Sequence, residues 1–506
     1  MKFTTYASRG LLAAALVSLG ACDQGFEELN IDPNKPSEVP TSYLFTQGER
    51  ALVTQVFDPL TVAEYAIHYP QYFSQTQYAD ITRYSTVESS FYPFYTGGLA
   101  DMQEIIRLNT TEETMDAAAA SGANVNQVAV ARILKVWGFH NVTDMWGDIP
   151  YSQALLGREA FSPVYDPQSE IYPALIQELT EAAAQIDENQ PGVVGDIIYG
   201  GDMAMWKLFA NSLKLRLGMR MSEVAPDMAK TAVTEALSAG VFTSNDDNAM
   251  YTYLSAQPNV NPYYNHFLTR TDFAVTNTMV DMLKAMDDPR LAIYADPIGV
   301  DVPRDANEFP VANPEYVGMI YGETDAVSGS IRNQEVSFPG LATRAATAKS
   351  PILVYSEVLF NQAEAAARGW TGGDAEALYE AAIRASMEQW NTLAAEVGSP
   401  YQVTAAEIDA YIASGDVAYD AANFEKSIGT QKWLALYMQG FEGWSEWRRL
   451  DYPDLKPAPA APAGMGIPRR RGYTETENSL NKANYDAAIA RMGGNGLSTR
   501  MWWDVE

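Results

Sequence analysis

The sequence predicts a mostly α-helical protein: one large domain on tetratricopeptide-like helical hairpins, with long irregular loops inserted between them. Three observations predict it. Apolar residues recur at helical spacing over several segments. Two of those segments repeat a small–bulky–small pattern suited to closely packed helix pairs. The Pro/Gly-rich stretches of the 506 residues, such as 456–468, are too short to separate independent domains.

The first helical segment shows Trp206, Phe209, Ala210, Leu213, Leu217 and Arg220 on i, i+3, i+4 spacing behind Asp202, an N-cap residue. This predicts a long amphipathic helix. Residues 352–368 form the next, closed by Gly369 and the turn Trp370-Thr371-Gly372-Gly373, and a third starts behind Asp374 and runs to about Trp390. Together these two make an antiparallel hairpin. In its second helix, Ala375, Tyr379 and Ala382 have the spacing of a tetratricopeptide helix, and Ala229, Val233 and Ala236 repeat it. No fixed 34-residue period links them, so the reading is of degenerate hairpins, with generic alanine-rich packing as the alternative. Residues 243–276 and 296–350 are dense in Asn, Pro, Gly and Tyr, and loops of that length inside a domain are usually functional.

The N-terminus reads as a leader. Lys2 and Arg9 are its positive region, Leu11 to Leu19 an apolar stretch too short to span a bilayer, and Leu19-Gly20-Ala21-Cys22 a small-residue cleavage site ending in the single cysteine of the chain. That pattern predicts a bacterial lipoprotein with Cys22 as the lipidated residue; an ordinary secretory signal with a chance cysteine is the alternative. The expected organisation is a signal peptide over 1–21, a lipid-anchored tether over 22–40 and a helical ligand-binding domain over 41–506. Without the leader, which holds two basic residues and no acid, the formal charge moves from −30 to −32. Nucleic acid and anionic lipid surfaces are therefore poor partners. With 47% hydrophobic and 11% aromatic residues the chain can build a large core.

Catalytic motifs are missing. His68, His140 and His266 stand far apart and outside any metal-binding spacing, so neither a metal nor a cofactor is expected. No Gly-x-Ser-x-Gly, Walker loop or dinucleotide fingerprint occurs, and Gly192-Val193-Val194-Gly195 is too short to cradle a phosphate. A pair among the 64 acids could still form a glycosidase site, but Asp287-Asp288, before Pro289-Arg290, reads as a helix-ending turn.

Aromatics beside polar residues are the excess. Tyr72, Tyr78 and Tyr84 lie among ten aromatic residues between Tyr65 and Tyr95, interleaved with Gln71, Gln75, Gln77, Asp80 and Arg83. Tyr263 and Tyr264 follow Asn261-Pro262, and Tyr316 and Tyr321 fall in the second long loop. Tyrosine offers an apolar face to a sugar ring and a hydroxyl to its polar edge, so these seven are the candidate ligand-binding residues. The group from Phe91 to Tyr95, before Leu99, Met102 and Ile105, reads as core.

Several segments carry a resemblance: Leu29 to Pro36 just past the lipobox, Trp146 to Tyr151, Asp288 to Leu291, Glu364 to Trp370, Gln431 to Leu436, Trp447 to Arg449, Ile467 to Arg470 and Met501 to Asp504. In this order they resemble the SusD/RagB lipoproteins, in the SusD-like branch of Bacteroidota. The resemblance implies a non-catalytic lipoprotein at the cell surface, tied to the outer membrane by its lipid anchor. Its scaffold would be four tetratricopeptide-like hairpins, its partner a SusC-like TonB-dependent transporter, and its cargo an oligosaccharide captured for uptake. A peptide cargo or a helical glycoside-processing enzyme are the alternatives. Trp444, Trp447, Trp502 and Trp503 are expected to be packed aromatics, and Arg469 to Arg471 a solvated turn or partners of internal carboxylates.

Overall fold

The computed structural model describes residues 39–299 and 313–505. The leader, Cys22 and the tether to residue 38 lie outside the described residues. Thr41–Glu506 forms one unit. It opens with α1 (Thr41–Phe57), which crosses α2 (Ala100–Thr110). That crossing needs a bare backbone: a Cβ on Gly98 would fall 2.4 Å from Leu52 Cγ and 2.6 Å from the Gly48 carbonyl.

Four helical hairpins follow. They pair α3 (Asn124–Trp146) with α4 (Gln168–Gln185), α5 (Met203–Arg220) with α6 (Pro226–Ala239), α7 (Tyr355–Ala367) with α8 (Ala375–Glu396), and α9 (Phe424–Ala435) with α10 (Gly440–Leu450). Neighbouring hairpins touch through α4 and α5, α5 and α7, and α7 and α9. The caps are those expected: Asp202 accepts the Ala204 and Met205 amides at the start of α5, and Asp374 accepts the Ala377 amide at the start of α8. Ala229, Val233 and Ala236 are buried against α5, where a Cβ on Gly218 would meet Val233 Cγ2 at 3.0 Å. Small residues on that face set the approach of the two helices.

Two helix expectations are corrected. Helix α5 is not amphipathic over its length, because every residue from Phe209 to Arg220 is buried. It lies between α4, α6 and α7, and so does not keep a solvated stripe. Nor does the segment over 352–368 begin as helix: Ser350–Leu353 is a strand paired antiparallel with Ala249–Tyr251, and the helix starts only at Tyr355. A second strand pair ties the first irregular stretch to the aromatic run, with Phe73 opposite Val275 and Gln75 opposite Phe273. All six residues of that pair are buried, so the end of that stretch is folded onto the core.

The interior of the hairpins is charged. Arg216 reaches Glu357 at 2.6 Å, Arg220 reaches Glu442 at 2.7 Å and Glu446 at 2.5 Å, and Lys432 reaches Glu446 at 2.6 Å, all with side chains 5% exposed or less. In this cluster each buried charge meets an opposite one, which offsets the cost of its burial. The Trp447-Arg448-Arg449 and Gln431-Lys432-Trp433 segments are therefore internal. Trp444, Trp447 and Trp503 are packed, their indole N–H groups donating to Pro468, Pro453 and Asp144, while Trp502 is half-buried. The expectation for Arg469 to Arg471 holds in part. Arg469 pairs with Asp504 and Asp451, but Arg470 and Arg471 are fully buried, and Arg471 donates to the Thr86 and Glu88 carbonyls rather than to a carboxylate.

Candidate ligand-binding site

The seven candidate tyrosines separate by burial. Tyr72, Tyr84, Tyr263, Tyr316 and Tyr321 are buried, which corrects the expectation that they face a ligand. Tyr72 donates to the Trp433 carbonyl at 2.7 Å, and Tyr263 packs edge-on against Phe73 and Phe273. Tyr84 accepts the Ala458 amide and lies beside the Tyr321 ring, with 6.5 Å between centroids. The paired strands Phe73–Gln75 and Phe273–Val275 carry these segments inward, so ring area that looked available in sequence is core. Tyr264 is half-buried on the short helix Pro262–Phe267.

Tyr78 is different. Its side chain is 65% exposed, and its backbone is left-handed at φ 56°. Such a backbone on a bulky residue persists only when its surroundings hold it, and here they do. The Asp80 amide donates back to the Tyr78 carbonyl at 2.7 Å, and the Ala79 amide donates to Asp325 Oδ1 at 2.7 Å. On one flank Arg83 bridges Asp80 and Asp325, at 2.9 Å to each. On the other, Gln77 donates to Asp272 at 2.5 Å, Asp272 pairs with Arg270, and the Arg270 guanidinium lies 5.9 Å from the centre of the Tyr78 ring. Below it, burial pushes the Glu64 carboxyl up to about 7, with Asp272 adding to the rise and Arg270 opposing it.

The arrangement presents one aromatic face ringed by planar donors and acceptors already fixed by ion pairs. An exposed ring can cover C–H groups and polar side chains beside it can take hydroxyls, which is the chemistry a neutral polyol requires. Gln77, Asp80 and Arg83 were visible in sequence beside Tyr78. Arg270 and Asp325 were not, because they arrive from 192 and 247 residues away.

The other chemistry is occupied by structure. His68, His140 and His266 are buried, with His68 and His266 both packed on the Phe273 ring, and among the described residues no three His, Cys, Asp or Glu side chains gather as metal ligands. Asp288 pairs with Arg290 at 2.5 Å, both fully buried, in the turn after the helix Asn277–Ala285.

The chain matches the SusD-like family described as "starch-binding associating with outer membrane" over residues 33–474. None of the curated proteins matches it. Among solved structures, a chitin-binding protein is 30% identical and superposes with a TM-score of 0.77 over 92% of this chain and 100% of its own. A chitin-binding SusD homologue from Flavobacterium johnsoniae is 27% identical, with a TM-score of 0.74 over 91% of this chain and 98% of its own. A SusD homologue from Bacteroides fragilis, 24% identical, shares the fold with a TM-score of 0.75 over 93% of this chain and 100% of its own.

Proposed function

This chain belongs to the SusD-like family, and on that premise we propose that it is a non-catalytic surface lipoprotein that captures oligosaccharides through the face centred on Tyr78. It hands them to a SusC-like TonB-dependent transporter while Cys22 keeps it at the outer membrane. The observation that carries the reading is Tyr78 itself: a large exposed ring, held in a left-handed backbone by its neighbours and flanked by Arg83, Arg270, Asp80 and Asp325. Among the described residues no helix is long and apolar enough to cross a membrane.

The cargo we favour is a chitin-type oligosaccharide, since two similar structures of 27% and 30% identity are chitin-binding; a starch-type chain is the nearest competitor. Calorimetric titration with chitohexaose, maltohexaose and a mixed peptide pool tests it. Heat from one hexasaccharide, with the sugar recovered intact, supports the reading. Heat from peptides alone moves the cargo to peptide, and shortened sugar products would make the protein an enzyme.

A further inference from the structure

A second recess lies beside this face. Pro262 and Asn265, three residues apart on the helix Pro262–Phe267, close a pocket of about 150 Å³ against the end of α1. That helix leads within three residues to Arg270 at the Tyr78 ring. At ~1.5 Å per residue its six residues are ~9 Å long, about the span of two sugar rings.

Gln257 and Asn265 in the pocket wall bond to each other at 2.7 Å, and three further polar groups there are not used up by the fold. Asp58 spends one carboxylate oxygen on the Leu60 amide at 2.9 Å, and the other has no partner among the described residues. Arg50 is exposed at the mouth with no hydrogen-bond or ion-pair partner among the described residues, and Asn259 Oδ1 is buried and equally unpartnered. A buried acceptor without a donor costs about 1–3 kcal/mol, so it marks a place where a donor belongs. Tyr251 and Tyr253 stand edge to face, 4.8 Å apart, as the aromatic wall.

We propose that this pocket seats the terminal ring of the bound glycan, making the protein a reader of chain ends as well as of chain interiors. The inference rests on the glycan reading above. The volume is too small for the ~300–1,000 Å³ of drug-sized pockets and larger than the ~30 Å³ of one water, which suits a single ring. One acid and one base leave no net charge, so the ring is a neutral sugar. Adjacent hydroxyls lie on Asp58 and Arg50, and the ring's apolar edge lies on Tyr251. A chain cannot pass through a half-closed pocket of this size, whereas the open Tyr78 face sets no such limit.

The test uses chitohexaose, maltohexaose and α-cyclodextrin, a glucan ring without ends, titrated into the full lipid-free chain and into Asp58→Asn, Thr54→Trp and Tyr78→Ala. Asp58→Asn keeps the acceptor for Leu60, and Thr54→Trp fills the pocket from α1. If the bound hexasaccharide is weakened about tenfold by both pocket variants, and free N-acetylglucosamine or glucose perturbs Tyr251 and Tyr253 signals in wild type and Tyr78→Ala but not in Thr54→Trp, the end site stands. For a glucan binder, cyclodextrin affinity must be unmoved by the pocket variants. If the hexasaccharide binds and only Tyr78→Ala weakens it, the pocket inference is overturned while the glycan reading survives. If no saccharide binds any form, both fall.

Discussion

Arg449 on α10 holds Glu364 on α7 through two hydrogen bonds of 2.6 Å, and both side chains are fully buried. Burial alone would raise the Glu364 carboxyl, but the Arg449 charge overrides it and holds the group below its ordinary value. Glu364→Gln leaves Arg449 inside the core with Glu446 as its remaining carboxylate partner. The expected loss is about 3 kcal/mol, read as a lower urea midpoint at unchanged slope.

The same pair sets an acid limit. A carboxyl held lower in the folded chain than in the unfolded one contributes stability above its unfolded value near 4.5, and that contribution is lost as pH falls further. Glu446, burial again opposed by Arg449 and then Lys432, follows the same sign. Urea midpoints should therefore fall steeply below about pH 4.5. Glu364→Gln should flatten part of that fall.

Glu64 runs the other way. Its carboxyl titrates near 7 in the folded chain, so the folded state prefers the proton and loses stability as pH rises from about 4.5 through 7. Glu64→Gln should leave stability at pH 5 nearly unchanged and raise it at pH 8. An equal gain at both pH values would refute this.

Tyr78→Ala removes the exposed ring at little cost to the fold. Saccharide affinity is expected to drop about fivefold, the equivalent of about 1 kcal/mol of aromatic contact, with the melting temperature unchanged. Tyr78→Phe should keep most of the affinity. Tyr263→Ala is the contrast: removing a ring packed on Phe73 and Phe273 should cost about 3–5 kcal/mol of stability, while the protein that remains folded binds as before.

Cys22→Ala should leave saccharide binding in solution intact and reduce uptake by cells. Growth on the oligosaccharide at the wild-type rate would mean that the anchor is dispensable.

The periodic segments made the scaffold legible. Asp202 and Asp374 stood where N-caps belong, and the Ala229/Val233/Ala236 face had the spacing of a packed helix, because capping and helix-face packing are local and leave marks a few residues apart. Composition likewise allowed a large core before any contact was known. Which tyrosine faces water was not local. Tyr72 and Tyr78 are six residues apart in the same aromatic run, yet one is enclosed by Trp433 and Tyr437 and the other stands in solvent. Only the pairing of strands two hundred residues apart decides that, by carrying Phe73 inward and bringing Arg270 over Tyr78. The charged segments near the C-terminus read the same whether solvated or buried, since a sequence shows a charge but not its counter-ion. Helices meeting inside the fold bring Glu364 to Arg449 and Glu446 to Lys432, and that encounter turns charges costly to bury into the core of the protein.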